Sequence, residues 1–353
     1  FVRCQSERGS AVKQLDAMPR VVVVPGMGLV TFGETATAAG IAADIYEHTI
    51  AVKSLVSAIS EYRALPQLDL FDVEYWSLEQ AKLGKHLPRP LEGQVALITG
   101  GSGAVGYGIA RVLKKAGAEV VITDIENAES AAAAVGGVGL NHDVTSADST
   151  REVLREVCRR FGGLDILVPN AGVAKSAAVV DLDPAEAHRV VDVNFHGYLN
   201  VIQEAGRLMI RQGTGGNIVI VSSKNVFAPG KEFAIYSASK AAGHQLGKVA
   251  ALEFAPHGIR VNMVAPDAVF CSETDDAGTI RSGLWREVGA DRAKAHDIEL
   301  SDLEGFYRER NLLKTAVTAE DVGRAVLFFA TTQTPTTGAT LPVDGGVPAA
   351  FPR

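Results

Sequence analysis

From Leu91 onward, short apolar runs alternate with longer segments whose apolar positions recur every three or four residues. Val95-Ala96-Leu97-Ile98-Thr99, Val120 to Thr123, Asp165 to Val168, Asn217 to Val221, Ile259 to Val264 and Thr340 to Val343 read as strands, and Val138 to Leu140 as a weaker one. Ala104 to Ala116 reads as a helix with Ile109, Val112 and Leu113 on one face; Thr150 to Phe161, Pro184 to Arg211, Ala234 to Ala255 and Ala319 to Ala330 follow the same period. Several strands are apolar throughout, as strands buried on both faces are, so the pattern predicts an α/β fold with a doubly wound parallel sheet. Residues 268–315 break the rhythm and carry many charges, which predicts a helical insertion over the ligand site.

Residues 1–90 read differently. Arg20 to Val24 predicts a buried strand ended by Pro25-Gly26, and Thr35 to Leu55 a helix with Ile41, Ile45, Ile50 and Val52 as its apolar positions. Pro66 to Leu70 reads as a break, and Phe71 to Leu83 as a short helix anchored by Trp76 and Leu78. Lys85 to Pro90 is basic, proline-bearing and linker-like. The expected division is an α/β segment over 1–84, a linker over 85–92 and the main domain over 93–353. One strand and two helices are few for an independent core, so the first segment is expected to pack on something else or to end a larger domain.

Composition narrows the function. At 353 residues the chain has room for two or three domains at about 150 residues each. Acids outnumber bases, 41 to 34, which disfavours a nucleic-acid partner. No apolar run is long enough to span a bilayer, and the first residues lack a signal-peptide core, so no membrane partner is expected. Cys4, Cys158 and Cys271 are few and far apart, which fits a reducing cytoplasm better than a disulfide framework. The eight histidines show no ligand spacing, so no metal is expected. The opening Phe1-Val2-Arg3 carries no initiator methionine, the expectation being a trimmed piece.

Thr99-Gly100-Gly101-Ser102-Gly103-Ala104-Val105-Gly106 joins a predicted strand to a predicted helix. A dinucleotide pyrophosphate needs that arrangement: glycines let the backbone turn sharply and approach the phosphates, and the helix start supplies unpaired N–H groups. Asp124 ends the next strand, where an acid binds both ribose hydroxyls and repels a 2′-phosphate. No Arg stands nearby to welcome that phosphate, so NAD is expected over NADP. The plainer reading of Asp124 is a solvated turn acid.

Tyr236-Ser237-Ala238-Ser239-Lys240 places a phenol and an ammonium one helical turn apart on one face. A tyrosine is a poor base near neutral pH, and a neighbouring cation is expected to lower its pKa. Ser223 lies upstream just past a strand, and Asn194 inside the long helical region.

Together these residues resemble the short-chain dehydrogenase/reductase family over about residues 91–349, with a Rossmann-type sheet. Thr99 to Gly106 resembles its cofactor turn, with Ala104 in place of the usual middle glycine; a methyl there crowds the pyrophosphate slightly. Asp143-Val144 resembles the adenine-contacting pair, and Asn170-Ala171-Gly172 the element that steadies the sheet, with Pro169 where a second Asn is common. The resemblance implies NAD contacts from Gly100, Ser102, Gly103, Val105, Gly106, Asp124, Asp143, Val144, Asn170, Ala171, Gly172, Tyr236, Lys240 and Pro266. It also implies roles. Tyr236 is the general acid/base, Lys240 lowers its pKa and binds the nicotinamide ribose, Ser223 orients the substrate oxygen, and Asn194 holds a water linking Lys240 to solvent. A homotetramer acting on a small molecule is implied as well. One departure is Pro266-Asp267 where the family has Pro-Gly. Asp267 is either a loop acid facing water or a selector of polyhydroxy or hydrated substrates.

Arg20 to Gly28, Ile41 to Ile50 and Phe71 to Gln80 look like the end of a class II sugar-phosphate aldolase domain, and resemble the junction in bifunctional rhamnulose-1-phosphate aldolase/short-chain dehydrogenases. Pro266 to Val269, Val343 to Gly346 and Ala350 to Arg353 resemble that group too. Such aldolases need histidine-held metal; this chain has Pro25-Gly26 where they often carry His-Gly and no HxH pair, so no aldolase activity is expected from it alone. The resemblance implies oxidation of L-lactaldehyde, released by rhamnulose-1-phosphate cleavage, to lactate with NAD. The alternatives are an NAD-dependent alcohol or polyol dehydrogenase, a lactaldehyde reductase, or an NAD-binding scaffold. A thiol mechanism through Cys271 finds no support in its surroundings.

Overall fold

The computed structural model describes residues 1–81, 87–272, 282–331 and 334–351, and the chain divides into two compact units, Phe1–Gly93 and Gln94–Arg353. In the first unit a helix unforeseen in the sequence, α1 (Val2–Arg8), precedes an antiparallel hairpin of β1 (Val21–Val24) and β2 (Gly28–Thr31), then α2 (Ala36–Ile59), α3 (Gln67–Glu74) and α4 (Ser77–Gln80). Phe71 and Cys4 are buried, and the rings of Phe1, Phe71 and Tyr75 cluster at 4.7–5.9 Å.

Several expectations fail here. Val22 and Val23 are exposed, because a two-stranded hairpin has little to cover it. Helix α2 is longer than expected and buries none of its residues, Ile41, Ile45, Ile50 and Val52 included. Pro66 is no break: its fixed φ suits a helix start, and α3 begins at the next residue. The expected helix over Phe71 to Leu83 is two pieces parted at Tyr75-Trp76. Trp76 and Leu78 are half exposed; Phe71 is the anchor. Leu83 and the first residues of the 85–92 linker lie outside the described residues.

The second unit is built on β3 (Val95–Thr99), β4 (Glu119–Asp124), β5 (Val138–Asn141), β6 (Ile166–Val168), β7 (Gly216–Val221), β8 (Ile259–Pro266) and β9 (Thr340–Val343). All pair in parallel, in the order β5-β4-β3-β6-β7-β8-β9. Helices α5 (Ala104–Lys115), α6 (Ala128–Val135), α7 (Ala147–Phe161), α8 (Pro184–Val191), α9 (Gly197–Gln212), α10 (Ala234–Phe254) and α13 (Ala319–Ala330) flank it. The core sits where Leu97, Val121, Leu167, Ile218 and Val261 meet Val157, Ile202, Ala205 and Met209. Each large aliphatic so buried contributes about 1.5–3 kcal/mol. Between β3 and β6 the strand order reverses, and a crevice opens there beyond the carboxyl ends. Within 268–315, the described residues form α11 (Gly283–Ala295) and α12 (Leu303–Glu309). No helix among the described residues is long and apolar enough to cross a membrane.

The expected continuous helix over Pro184 to Arg211 is interrupted: a π-turn, Asp192–His196, separates α8 from α9. Asn194 sits at its centre. Such an inserted turn re-aims the side chains on it relative to a regular helix.

Candidate active site

Every predicted site residue except Asn194 lines a single cleft of about 780 Å³ at the strand-order reversal. At one end the chain leaves β3 through Gly100, whose φ of +64° suits glycine; a Cβ there would lie 2.7 Å from Ala171 Cα. A Cβ on Gly106 would lie 2.5 Å from Gly100 O, so the turn closes only with hydrogen there. Asn170 ties the turn to β6: its Nδ2 donates to Thr99 O (2.9 Å) and Gly100 O (3.0 Å), while Thr99 Oγ1 accepts from the amides of Asn170 and Ala171. Helix α5 opens at Gly103 without a side-chain cap, so its first N–H groups keep no partner from the helix itself.

Asp124 is not a solvated turn acid. Its Oδ2 accepts from Ser102 N (3.2 Å) and from Ser102 Oγ, and its Oδ1 from Ile125 N (2.8 Å), so it is fastened to the glycine turn. The Asp143 carboxylate is held by Thr145, through N (2.9 Å) and Oγ1 (2.7 Å). Behind it His142 is buried between Thr123 and Thr150 hydroxyls, and burial lowers its pKa to about 4. The uncapped start of α5, small residues and a carboxylate at the end of β4 fit a dinucleotide at this end.

At the other end Ser223 hydrogen-bonds the Tyr236 phenol, and the Phe233 ring stacks on Tyr236 at 4.6 Å. The expected electrostatics of Tyr236 is reversed here. Burial pushes its pKa up to about 12; the Ser223 bond works against that and the Asp267 charge adds to it. Lys240 Nζ donates instead to Tyr198 Oη (2.7 Å) and Val221 O (3.1 Å), and burial drops its pKa to about 7. Asn194 is fully buried behind the cleft. Its Oδ1 accepts from Val173 N (2.9 Å), and its Nδ2 donates to Val173 O (2.9 Å) and Ser239 Oγ (3.0 Å). Its side-chain amide is thus engaged by protein groups.

Pro266 ends β8, and Asp267 is no water-facing loop acid. Its carboxylate is nearly buried and doubly bonded by Arg310, through Nε (3.2 Å) and Nη2 (2.6 Å). The Arg310 guanidinium lies 4.1 Å over the Tyr307 ring. Sequence reasoning missed Arg310, Lys224, Arg292 and Tyr198. Tyr198 falls one turn after Asn194 and Lys224 directly after Ser223, signals that were there to use. Arg310 and Arg292 lie in the irregular insertion, where no period points to them.

A parallel doubly wound sheet with a glycine turn and a Ser–Tyr pair at its switch point defines an α/β protein of the nucleotide-binding class. The chain belongs to the short-chain dehydrogenase family: that family's model matches residues 94–281, and the model for the second domain of class II aldolases matches 1–83. It is an oxidoreductase family, and the chain is an oxidoreductase with a junction to an aldolase-type domain. It is 35% identical to the uncharacterized oxidoreductase YuxG of Bacillus subtilis over 96% of this chain, yet spans only 50% of that protein's length. It is 30% identical to L-rhamnose 1-dehydrogenase (NAD(P)(+)) of a Sphingomonas species, over 73% of this chain and 97% of that one. Sorbitol-6-phosphate 2-dehydrogenase SrlD of Erwinia amylovora superposes with a TM-score of 0.64 at 28% identity, covering 71% of this chain and 98% of that one.

Proposed function

We propose that the chain moves a hydride between NAD and a small hydroxylated aldehyde or alcohol, and that its particular reaction is oxidation of L-lactaldehyde to lactate. The observation that carries the reading is one cleft lined by the glycine turn and Asp124 at one end and by the Ser223–Tyr236 pair at the other. Asp124 favours the ribose of NAD, since a 2′-phosphate would meet its carboxylate. Gly100 to Gly106 would hold the pyrophosphate, Asp143 and Val144 the adenine, and Lys240 the nicotinamide ribose.

The bound nicotinamide supplies the hydride acceptor. In the hydrated aldehyde, Ser223 orients one hydroxyl and Tyr236 removes its proton, while the hydride leaves the same carbon; the products are the acid, the reduced cofactor and one proton. The proton that Tyr236 takes up leaves to solvent past Lys240, beside a water that Asn194 holds from the π-turn. Asp267 shapes the substrate end together with Arg310. We take 1–84 as the end of an aldolase domain that is inactive in this chain alone, 85–92 as its linker, 93–353 as the dehydrogenase, and the working form as a cytoplasmic homotetramer.

A second reading, an NAD-dependent alcohol or polyol dehydrogenase, draws support from the likeness to a rhamnose and a sorbitol-6-phosphate dehydrogenase. NADH formation over a panel of aldehydes and alcohols separates the two. Lactaldehyde turning over with NAD to yield lactate supports the first; turnover of secondary alcohols alone, with lactaldehyde rejected, ends it.

A further inference from the structure

The substrate end of the cleft carries buried positive charge that neither the proton relay nor the cofactor explains. Lys224 directly follows Ser223, lines the cleft, and is nine-tenths buried. Its ammonium has three donors and makes one bond, to Ala228 O at 3.0 Å. Arg292 lines the same cleft and is 2% exposed. Its guanidinium lies 4.9 Å over the Phe233 ring, which in turn stacks on Tyr236, so it belongs to the reacting end. It donates to Lys231 O, to His296 Nε2 (3.0 Å) and more loosely to Tyr307 Oη (3.4 Å).

Among the described residues, neither cation has a carboxylate partner. The nearby acids are committed: Asp267 to Arg310, and Asp344 to the Gly346 amide at 2.8 Å. Burial, then repulsion from Arg310 and Arg292, lowers the Lys224 pKa to about 8, with Asp267 and Asp344 acting the other way. Two buried cations with donors to spare are unfavourable alone, and an anion between them relieves both desolvation and repulsion. The cofactor's phosphates do not serve, since their cradle is the glycine turn at the far end.

We propose that Lys224 and Arg292 form a receptor for an anionic group, a carboxylate or a phosphate monoester, on the small molecule bound beside Tyr236. This rests on the dehydrogenase reading of the cleft and names the charge class of its ligand. In lactaldehyde oxidation the group held is the carboxylate of the product; in a sugar-phosphate reaction it is the phosphate of the substrate. Both demand the same charge-assisted bonds.

The test is titration of the enzyme–NADH complex with matched probes: L-lactate against L-lactamide, and glycerol 3-phosphate against glycerol. At least one anion should bind about tenfold or more tightly than its neutral counterpart. In Lys224→Met that ratio should fall towards one while NADH affinity is kept. Preference for lactate alone identifies the carboxylate, and preference for glycerol 3-phosphate alone the phosphate. Arg292→Gln should act alike; should it fail to fold, Lys224→Met decides. Equal binding of charged and neutral probes to the native complex, or a preference that survives Lys224→Met, overturns the receptor and leaves the dehydrogenase reading standing. Failure of the native chain to bind NADH removes that reading itself.

Discussion

Replacing Lys240 by Met separates activity from stability. The ammonium is almost fully buried, and its pKa falls from 10.5 to about 7 because of that burial. At about 1.4 kcal/mol per pH unit, charging it inside the fold costs at most about 5 kcal/mol relative to the unfolded chain. Its bonds to Tyr198 Oη and Val221 O offset part of this. Removing the amine strands neither group, because Tyr198 Oη already donates to Val221 O at 2.8 Å. A thioether of similar length fills the space. Lys240→Met should therefore stabilise the fold at pH 7 by about 1–3 kcal/mol, or about 2–10 °C in unfolding midpoint for a domain of this size. The gain depends on pH with a definite sign. Between pH 7 and 10.5 the unfolded native sequence binds more protons at this site than the folded one, so its stability rises with pH and the variant's advantage shrinks towards zero. Activity moves oppositely: NADH formation should fall at least a hundredfold. Thermal melts of both proteins across pH 6.5–10.5 provide the assay. A variant less stable at pH 7, or an offset that ignores pH, refutes the claim that burial dominates the energetics of Lys240.

The remaining predictions concern other groups in the same unit. Tyr236→Phe should lower turnover by about 100-fold to 10,000-fold and leave NADH affinity within about twofold, measured by fluorescence titration. Asp124→Ser should shift the ratio of kcat/KM values from NAD towards NADP by about tenfold or more, since it removes the carboxylate that repels the 2′-phosphate. Asp267→Gly should alter the order of preference in a substrate panel and keep NADH binding; with Arg310 deprived of a nearly buried partner, the denaturant midpoint should correspond to a loss of about 1–3 kcal/mol. His142 titrates at about 4 in the fold against 6.5 ordinarily, so its contribution is complete above pH 6.5 and lost as pH falls through about 4. The acid limb of stability should account for up to about 3 kcal/mol over that window and flatten in His142→Asn.

How much of this was readable in the chain depended on whether the determining contacts were local. The central strands of the second unit are apolar on both faces because helices cover both, and a run such as Val95 to Thr99 declares that by itself. In the hairpin, Val21 to Val24 has the same composition but a different burial, since what covers a strand is not written in it. The pair Asp267–Arg310 joins an element end to an irregular insertion, and no periodic rule relates the two positions. Tyr236 and Lys240 were legible as a pair, being one turn apart. Their electrostatics was not, because Lys240 is claimed by Tyr198 and Val221, from two elements that approach it only in three dimensions. The π-turn at Asn194 was hidden for a related reason: its side chain bonds to Val173, and that tertiary contact accompanies a turn that propensity alone reads as plain helix.

Three cations, Lys240, Lys224 and Arg292, are buried along the reacting end of one cleft, each held mainly by neutral oxygens or nitrogens of the protein. A fold selected for stability alone would replace such groups with apolar ones of equal volume. The rigid frame around them makes their retention affordable: the core behind is largely apolar, Asn170 and Tyr198 satisfy the backbone at the ends of β3 and β7, and Asn194 ties down Val173. Positive charge held in a dry site raises the affinity for whatever negative charge arrives or forms there, whether a phenolate at Tyr236 or an anion between Lys224 and Arg292. For Lys224 and Lys240, the burial that disfavours the ammonium also strengthens its hold on an anion. Removing Lys240 or Lys224 should therefore change stability and function in opposite directions.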